Sequence, residues 1–199
     1  MDNLVKDLIN LDFNVKDFVV VCIGTKKSFL DSVGPMIGTI LKDNIPDIYV
    51  YGQMDNNCHA LNIESIIERI KVEHPNKKIL AIDSCLTSDN KKVGTFELKQ
   101  GAIYPGAGVG KNLPKVGDYS IRAFVLEKEN KSLITNNELI IHKRCDEYVS
   151  YVSDIVCSIS MAIVKANEYY IKHNNINISV VESFLSKCRN KLRKIIKGY

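Results

Sequence analysis

The 199-residue sequence has six cysteines but no CxxC pair among them. This absence argues against a disulfide framework and a structural zinc site, and it indicates reduced thiols in a cytoplasmic protein. The N-terminal segment also lacks the uninterrupted apolar stretch of an export signal. No apolar run approaches the roughly 20 residues that cross a bilayer, so we expect a soluble protein without a membrane partner.

The excess of positive charge is confined to the C-terminus. The chain has 27 lysines and arginines against 23 acidic residues, and residues 187–197 contribute six of these cations and no acid. The rest of the chain is therefore slightly acidic, which disfavours nucleic acid as a partner. We expect the basic segment to form a solvated helix face, with contact to nucleic acid or to an acidic protein as the minority interpretation.

Apolar runs that alternate with helical patterns predict an α/β fold. Residues 33–41 and 62–73 have apolar side chains at intervals of three and four, which is typical of helices. Two shorter strand-like pieces flank a glycine-rich stretch within residues 93–126, and the last third of the chain has helical spacing. The longer strand-like segments are residues 18–24, 47–52 and 77–85.

We expect one domain over residues 1–199, a three-layer α/β/α sandwich with a mostly parallel sheet. Residues 1–17 should contain an amphipathic helix and residues 179–199 a basic helix, both as peripheral additions. The apolar stripe of the C-terminal helix, with Phe184 and Leu192, must pack on the body or on a second subunit. Assembly into a homo-oligomer therefore stays open.

Two aspartates follow strands of the predicted parallel sheet. Asp31 lies in the turn and helix start after the first strand, and Asp83 lies at the end of the third. Because the carboxyl ends of parallel strands form the ligand crevice of an open sheet, we expect both carboxylates in one pocket. Asp31 has an alternative role as a helix N-cap. Asp83 must be solvated in a cleft or paired, because burying a lone carboxylate is costly.

His59 and Cys85 occur near the same strand ends. His59 could orient a carboxylate, bind a metal or cap the following helix. Cys85 could pair with His59 as a nucleophile, although nothing local indicates a depressed thiol pKa.

The stretch PGAGVGK fits neither glycine fingerprint for nucleotides. A P-loop needs glycine where Pro105 stands and Ser or Thr where Asn112 stands, and the dinucleotide motif needs GxGxxG. The alternatives are a tight turn and a backbone that runs close to a bound peptide. The residues expected to bind the substrate are Gly106, Gly108 and Lys111 of this segment, together with His59.

Several segments resemble the YyaC-type sporulation proteins of endospore-forming Firmicutes, which are relatives of the germination protease. They lie between about residues 18 and 125 and read CIGTKKSFLDSVGP, YGQMDNNCHALN, AIDSCL and VGTFELKQGAIYPGAGVGKNLPKVGDYSI. The resemblance implies a fold like that of hydrogenase-maturation endopeptidases and a role in sporulation. In the germination protease, the aspartates that match Asp31 and Asp83 are the proposed catalytic pair.

Together these expectations favour a cytoplasmic peptidase of sporulation that acts on a peptide or protein substrate without a cofactor. One aspartate would act as general base on water and the other as acid toward the scissile group. The first alternative is a non-catalytic binding or regulatory protein that keeps the crevice. The second is a divalent-metal site formed by Asp31, Asp83 and His59, as in nickel-type relatives.

Overall fold

The computed structural model describes residues 2–106, 113–128 and 145–173. Within them, five strands form one mixed sheet in the order β2-β1-β3-β5-β4. β1 pairs in parallel with β2 and β3, β3 pairs in parallel with β5, and β4 is antiparallel to β5. The predicted α/β class is therefore confirmed. The strands are β1 (Phe18–Cys22), β2 (Tyr49–Tyr51), β3 (Lys78–Thr87), β4 (Phe96–Gln100) and β5 (Tyr119–Glu127).

The described residues also contain four α-helices. They begin and end close to where the apolar periodicity predicted them, and α3 ends just before Pro75, which cannot continue a helix. The predicted helix over residues 179–199, with Phe184 and Leu192, lies outside the described residues. The helices are α1 (Asp2–Asn10), α2 (Val33–Asn44), α3 (Ile63–Glu73) and α4 (Cys145–His173).

Two apolar clusters pack against the sheet, and the alternating side chains of β1 contribute to both. Val20 belongs to the cluster that includes α1, α2 and α4, whereas Val19 and Val21 belong to the cluster that includes α3. All five residues of β1 are buried. Burial on both faces explains why its sequence is an uninterrupted apolar run.

The N-terminal helix takes part in the first cluster. Leu4 and Leu8 on α1 are buried there beside α4. The helix therefore contributes to the core, although the sequence predicted a peripheral position for it.

Helix α4 contains the most apolar long segment of the described residues that could span a bilayer by length. Its segment Val149–His173 is long and apolar enough to cross a membrane by length and composition alone. However, 56% of its most apolar window is buried inside the protein, and the helix packs against α1, α2 and β5. A buried core helix passes the same test, so this segment is weak support for a membrane span.

Candidate active site

Asp31 lies between β1 and α2, in a 3-10 turn over Leu30–Ser32. Its Oδ2 atom accepts a hydrogen bond from the Thr25 N–H at 3.0 Å, and the Ser84 hydroxyl on β3 donates another to the carboxylate. The carboxylate therefore faces the strands. Ser32, and not Asp31, occupies the N-cap position of α2, so Asp31 does not fill its alternative role as the cap of this helix.

Gly24 allows the Asp31 turn to lie directly against the end of β1. Its φ angle is 141°, and a Cβ atom there would lie 2.0 Å from the backbone oxygen of Asp31. Only glycine fits this conformation and this close approach. The backbone conformation after β1 thus helps to set the position of the Asp31 side chain.

Asp83 lies inside β3, because this strand continues to Thr87 and does not end at Cys85 as the sequence predicted. β1 ends earlier, at Cys22, whose register partner on β3 is Ile82. Asp83 is therefore the first residue of β3 beyond the end of β1.

The aspartates lie at a reversal of strand order in the sheet. β2 flanks β1 on one side, and β3 flanks it on the other. Open α/β sheets bind ligands in the crevice that forms at the carboxyl ends of strands at such a switch point. Asp31 follows β1 and Asp83 lies on β3, so each of the two strands supplies one carboxyl group.

The Asp31 carboxylate is close enough to Asp83 to change its ionisation. Burial and the negative charge of Asp31 raise the pKa of Asp83 well above its ordinary value, despite a hydrogen bond from the Ser84 N–H. Burial also raises the pKa of Asp31, to about 6, against the opposing hydrogen bonds from Thr25 and Ser84. The structure thus brings the two predicted residues together, while their catalytic role stays a prediction.

Two thiols near Asp83 are suppressed as nucleophiles. Burial, followed by the negative charge of Asp83, raises the pKa of both Cys58 and Cys85 to about 12. Because the thiolate is the reactive form, neither side chain is activated at neutral pH. These pKa values argue against the predicted Cys85 and His59 nucleophile pair.

His59 lies in the turn before α3. Its Nδ1 atom accepts a hydrogen bond from the Leu61 N–H at 3.2 Å, a local turn contact that lies before the helix N-cap Asn62 and is not a helix cap. Within the described ranges, no group of three or more His, Cys, Asp or Glu side chains is arranged to hold a metal ion. The predicted three-ligand site of Asp31, Asp83 and His59 is therefore not formed.

The base of the glycine-rich stretch is anchored on the same sheet face as Asp83. Ile103 and Val116 exchange backbone hydrogen bonds of 2.8 and 3.0 Å, and both side chains are buried in the α3 cluster with Ala81 of β3. Gly106 follows this anchor with a φ angle of 74°. Gly108 and Lys111 lie outside the described residues, so the peptide-binding role of the segment stays a prediction.

Sequence reasoning missed an ion pair beside the aspartates. Arg122 on β5 is the register partner of Asp83, and its Nη2 atom lies 2.8 Å from Glu97 Oε1 on β4. Charges on both residues influence the pKa of Cys85. The available signal was a lone arginine within the otherwise apolar strand segment YSIRAFVL.

The ionisation of the aspartate pair predicts a pH-dependent stability. Folding raises the pKa of Asp31 to about 6 and that of Asp83 well above its ordinary value. From about pH 4 upward, the folded state holds protons that an unfolded chain has released. Stability contributed by the protonated pair is therefore present at acid pH, and it is lost as the pH rises through the pKa values of the two groups in the folded protein.

Urea denaturation at about pH 4 and pH 8 tests this prediction. Asp83→Asn removes a carboxyl group whose pKa is raised by folding, so it should raise the free energy of unfolding more at about pH 8 than at about pH 4. Equal shifts at both pH values would contradict the expected coupling.

Comparisons with known proteins agree with the resemblance in the sequence. The model of a family described as protein of unknown function (DUF1256) matches residues 1–156, which include both aspartates. The uncharacterized protein YyaC of Bacillus subtilis (strain 168) is 39% identical over 132 residues. The match covers 61% of this chain and 64% of that protein, so it spans less than two thirds of the relative's length. The similarity to YyaC-type proteins is confirmed, and the link to peptidases stays a prediction.

Proposed function

The chain belongs to the DUF1256 family, and we propose that it is a hydrolase that cleaves peptide bonds with Asp31 and Asp83. The observation that carries this proposal is the electrostatically coupled pair of carboxyl groups at the switch point of the sheet. Raised pKa values beside a ligand crevice are typical of groups that transfer protons.

The surroundings of the two carboxyl groups favour different roles. Asp31 receives hydrogen bonds from the Thr25 N–H and the Ser84 hydroxyl, which stabilise its anion and suit a general base. Burial and the charge on Asp31 favour the protonated form of Asp83, which suits a general acid.

In the proposed reaction, Asp31 takes a proton from a water molecule whose oxygen attacks the scissile carbonyl carbon. Asp83 then donates its proton to the leaving nitrogen as the C–N bond breaks. The two groups titrate as a coupled pair, so apparent pKa values in a rate profile belong to the pair.

Resemblance to the germination protease supports a peptide or protein substrate and a role in sporulation. It also supports a cytoplasmic location and a three-layer arrangement like that of the hydrogenase-maturation endopeptidases. These finer assignments are part of the proposal.

The deciding experiment incubates the purified protein with cell extract prepared during sporulation and identifies new peptide termini by mass spectrometry. We expect cleavage products with the wild-type protein, with and without a chelator. Absence of cleavage under all conditions would instead support a non-catalytic binding protein. Loss of cleavage after chelation alone would support a metal-dependent site.

A further inference from the structure

A compact group of charged side chains lies on β4, on β5 and in the turn before β4. The Glu97 carboxylate lies 2.8 Å from Arg122 Nη2, 3.3 Å from Lys99 Nζ and 3.9 Å from Lys92 Nζ. We call these four residues the cationic patch. Three cations around one carboxylate leave a formal surplus of two positive charges.

The cationic patch is continuous with the aspartate site. Asp83, Arg122 and Glu97 are register partners across β3, β5 and β4, so their side chains extend from the same sheet face. Cys85 follows Asp83 by two residues on β3, and the charges of Asp83, Arg122 and Glu97 all influence its pKa. A ligand that contacts the patch can therefore extend along this face toward the aspartates.

The cations reach solvent and yet are held in place. The side chains of Lys92 and Lys99 are 48% and 54% exposed, and that of Arg122 is 33% exposed. Lys92 Nζ also lies 5.2 Å from the centre of the Phe124 ring, which fixes its position further. The patch thus offers partly exposed positive charges that are grouped around one carboxylate.

We propose that the cationic patch binds an acidic segment of a polypeptide and holds it beside the aspartate site. The arginine fork and the two ammonium groups match carboxylate side chains. Nucleic acid is less suited, because its phosphate backbone favours an extended stripe of cations, whereas this patch is compact and includes a carboxylate. The inference rests on the proposed function only in treating the bound segment as a substrate.

A substitution of Glu97 tests the proposal, because it should strengthen peptide binding, whereas loss of a cation should weaken it. An acidic ligand competes with the Glu97 carboxylate for the same three cations. Glu97→Gln should therefore tighten binding of an acidic peptide, by about twofold or more, because it increases the surplus charge. Damage to the fold would weaken binding, so tightening separates the two causes.

Fluorescence anisotropy with a labelled hexaglutamate peptide measures this binding on the full chain. We expect binding at about 0.05 M salt that weakens at about 0.5 M, and none to hexaglutamine. The double variant Lys92→Ala with Lys99→Ala should weaken it about fivefold or more. The control variant Lys6→Ala with Lys172→Ala, on helices of the opposite sheet face, should bind like the wild type.

Two further measurements locate the ligand and separate this inference from the proposed function. A hexaglutamate peptide with a photo-crosslinking group should label β4 and β5 at the patch. The Asp83→Asn variant should still bind hexaglutamate, even if it no longer cleaves a peptide substrate. The proposal is overturned by unchanged binding in the Lys92 and Lys99 variant, or by crosslinks confined to residues 187–197. Stronger binding of an oligouridine that the same variant abolishes would also overturn it, in favour of nucleic acid.

Discussion

Asp31→Asn or Asp83→Asn should lower kcat for cleavage of a peptide substrate by about 10²–10⁴-fold, the usual contribution of general acid and base groups. Asparagine keeps the shape of aspartate and can still accept the hydrogen bond from the Thr25 N–H. It cannot take a proton from water or donate one to the leaving nitrogen. The expected loss is therefore in turnover, with the folded structure retained.

Asp118→Asn is the matched control. Asp118 Oδ2 accepts a hydrogen bond from the Ile79 N–H at 2.7 Å, near the amino end of β3 and away from the switch point. Asp118 lies just before β5, so its replacement changes a carboxylate that is hydrogen-bonded to β3 without touching the proposed site. Turnover should stay close to that of the wild type. Equal losses in all three variants would indicate a structural effect and would contradict the proposed roles.

The pH dependence of wild-type cleavage supplies an independent readout. Because the pKa of Asp31 is about 6, the fraction of ionised base should increase as the pH rises through this value. The rate should therefore increase between about pH 5 and pH 7. A rate that is constant across this interval would argue against Asp31 as the base.

The aspartate pair is costly for the fold, and this cost supports a functional role. Packing does not require a carboxyl group at position 83, because the residues of β3 that precede it are mainly apolar. Burial raises the pKa of both carboxyl groups, and the charge of Asp31 raises that of Asp83 further, so both oppose stability near neutral pH. Local conflicts of this kind in an otherwise consistent fold are expected at functional sites.

The sequence predicted the elements whose patterns are local. β1 was recognisable because both its faces are buried, and α2 and α3 because one face of each is apolar. The end of β3 was not recognisable, because Asp83, Ser84 and Cys85 interrupt the apolar run while the backbone still pairs with β5.

The candidate site was predictable only in part for a related reason. Asp31 and Asp83 follow from a rule about strand ends that needs no register. The neighbours of these aspartates depend on how distant segments align: Ser84 on β3 contacts Asp31 in its turn, and Arg122 meets Glu97 across β5 and β4. Such contacts are set by tertiary packing, which periodicity does not encode.

Gly34→Ala should lower the free energy of unfolding by about 3 kcal/mol or more, although alanine is the better helix former by about 1 kcal/mol. A Cβ atom at Gly34, in the first turn of α2, would lie 2.1 Å from the Ile23 carbonyl oxygen. That backbone cannot easily move, because the Ile23 N–H bonds to the Ile82 carbonyl oxygen at 2.7 Å. The collision should therefore outweigh the helix propensity and displace the start of α2.

Gly101→Ala is the comparison variant, because it introduces an unfavourable φ angle without a steric clash. Gly101 has a φ angle of 110°, but a Cβ atom there would meet no heavy atom within 4 Å. Its replacement should lower the free energy of unfolding by only about 1–2 kcal/mol, the cost of an unfavourable φ angle. Urea denaturation of both variants gives the comparison. A Gly34→Ala protein as stable as the wild type would contradict the close packing of α2 against the end of β1, which also positions Asp31.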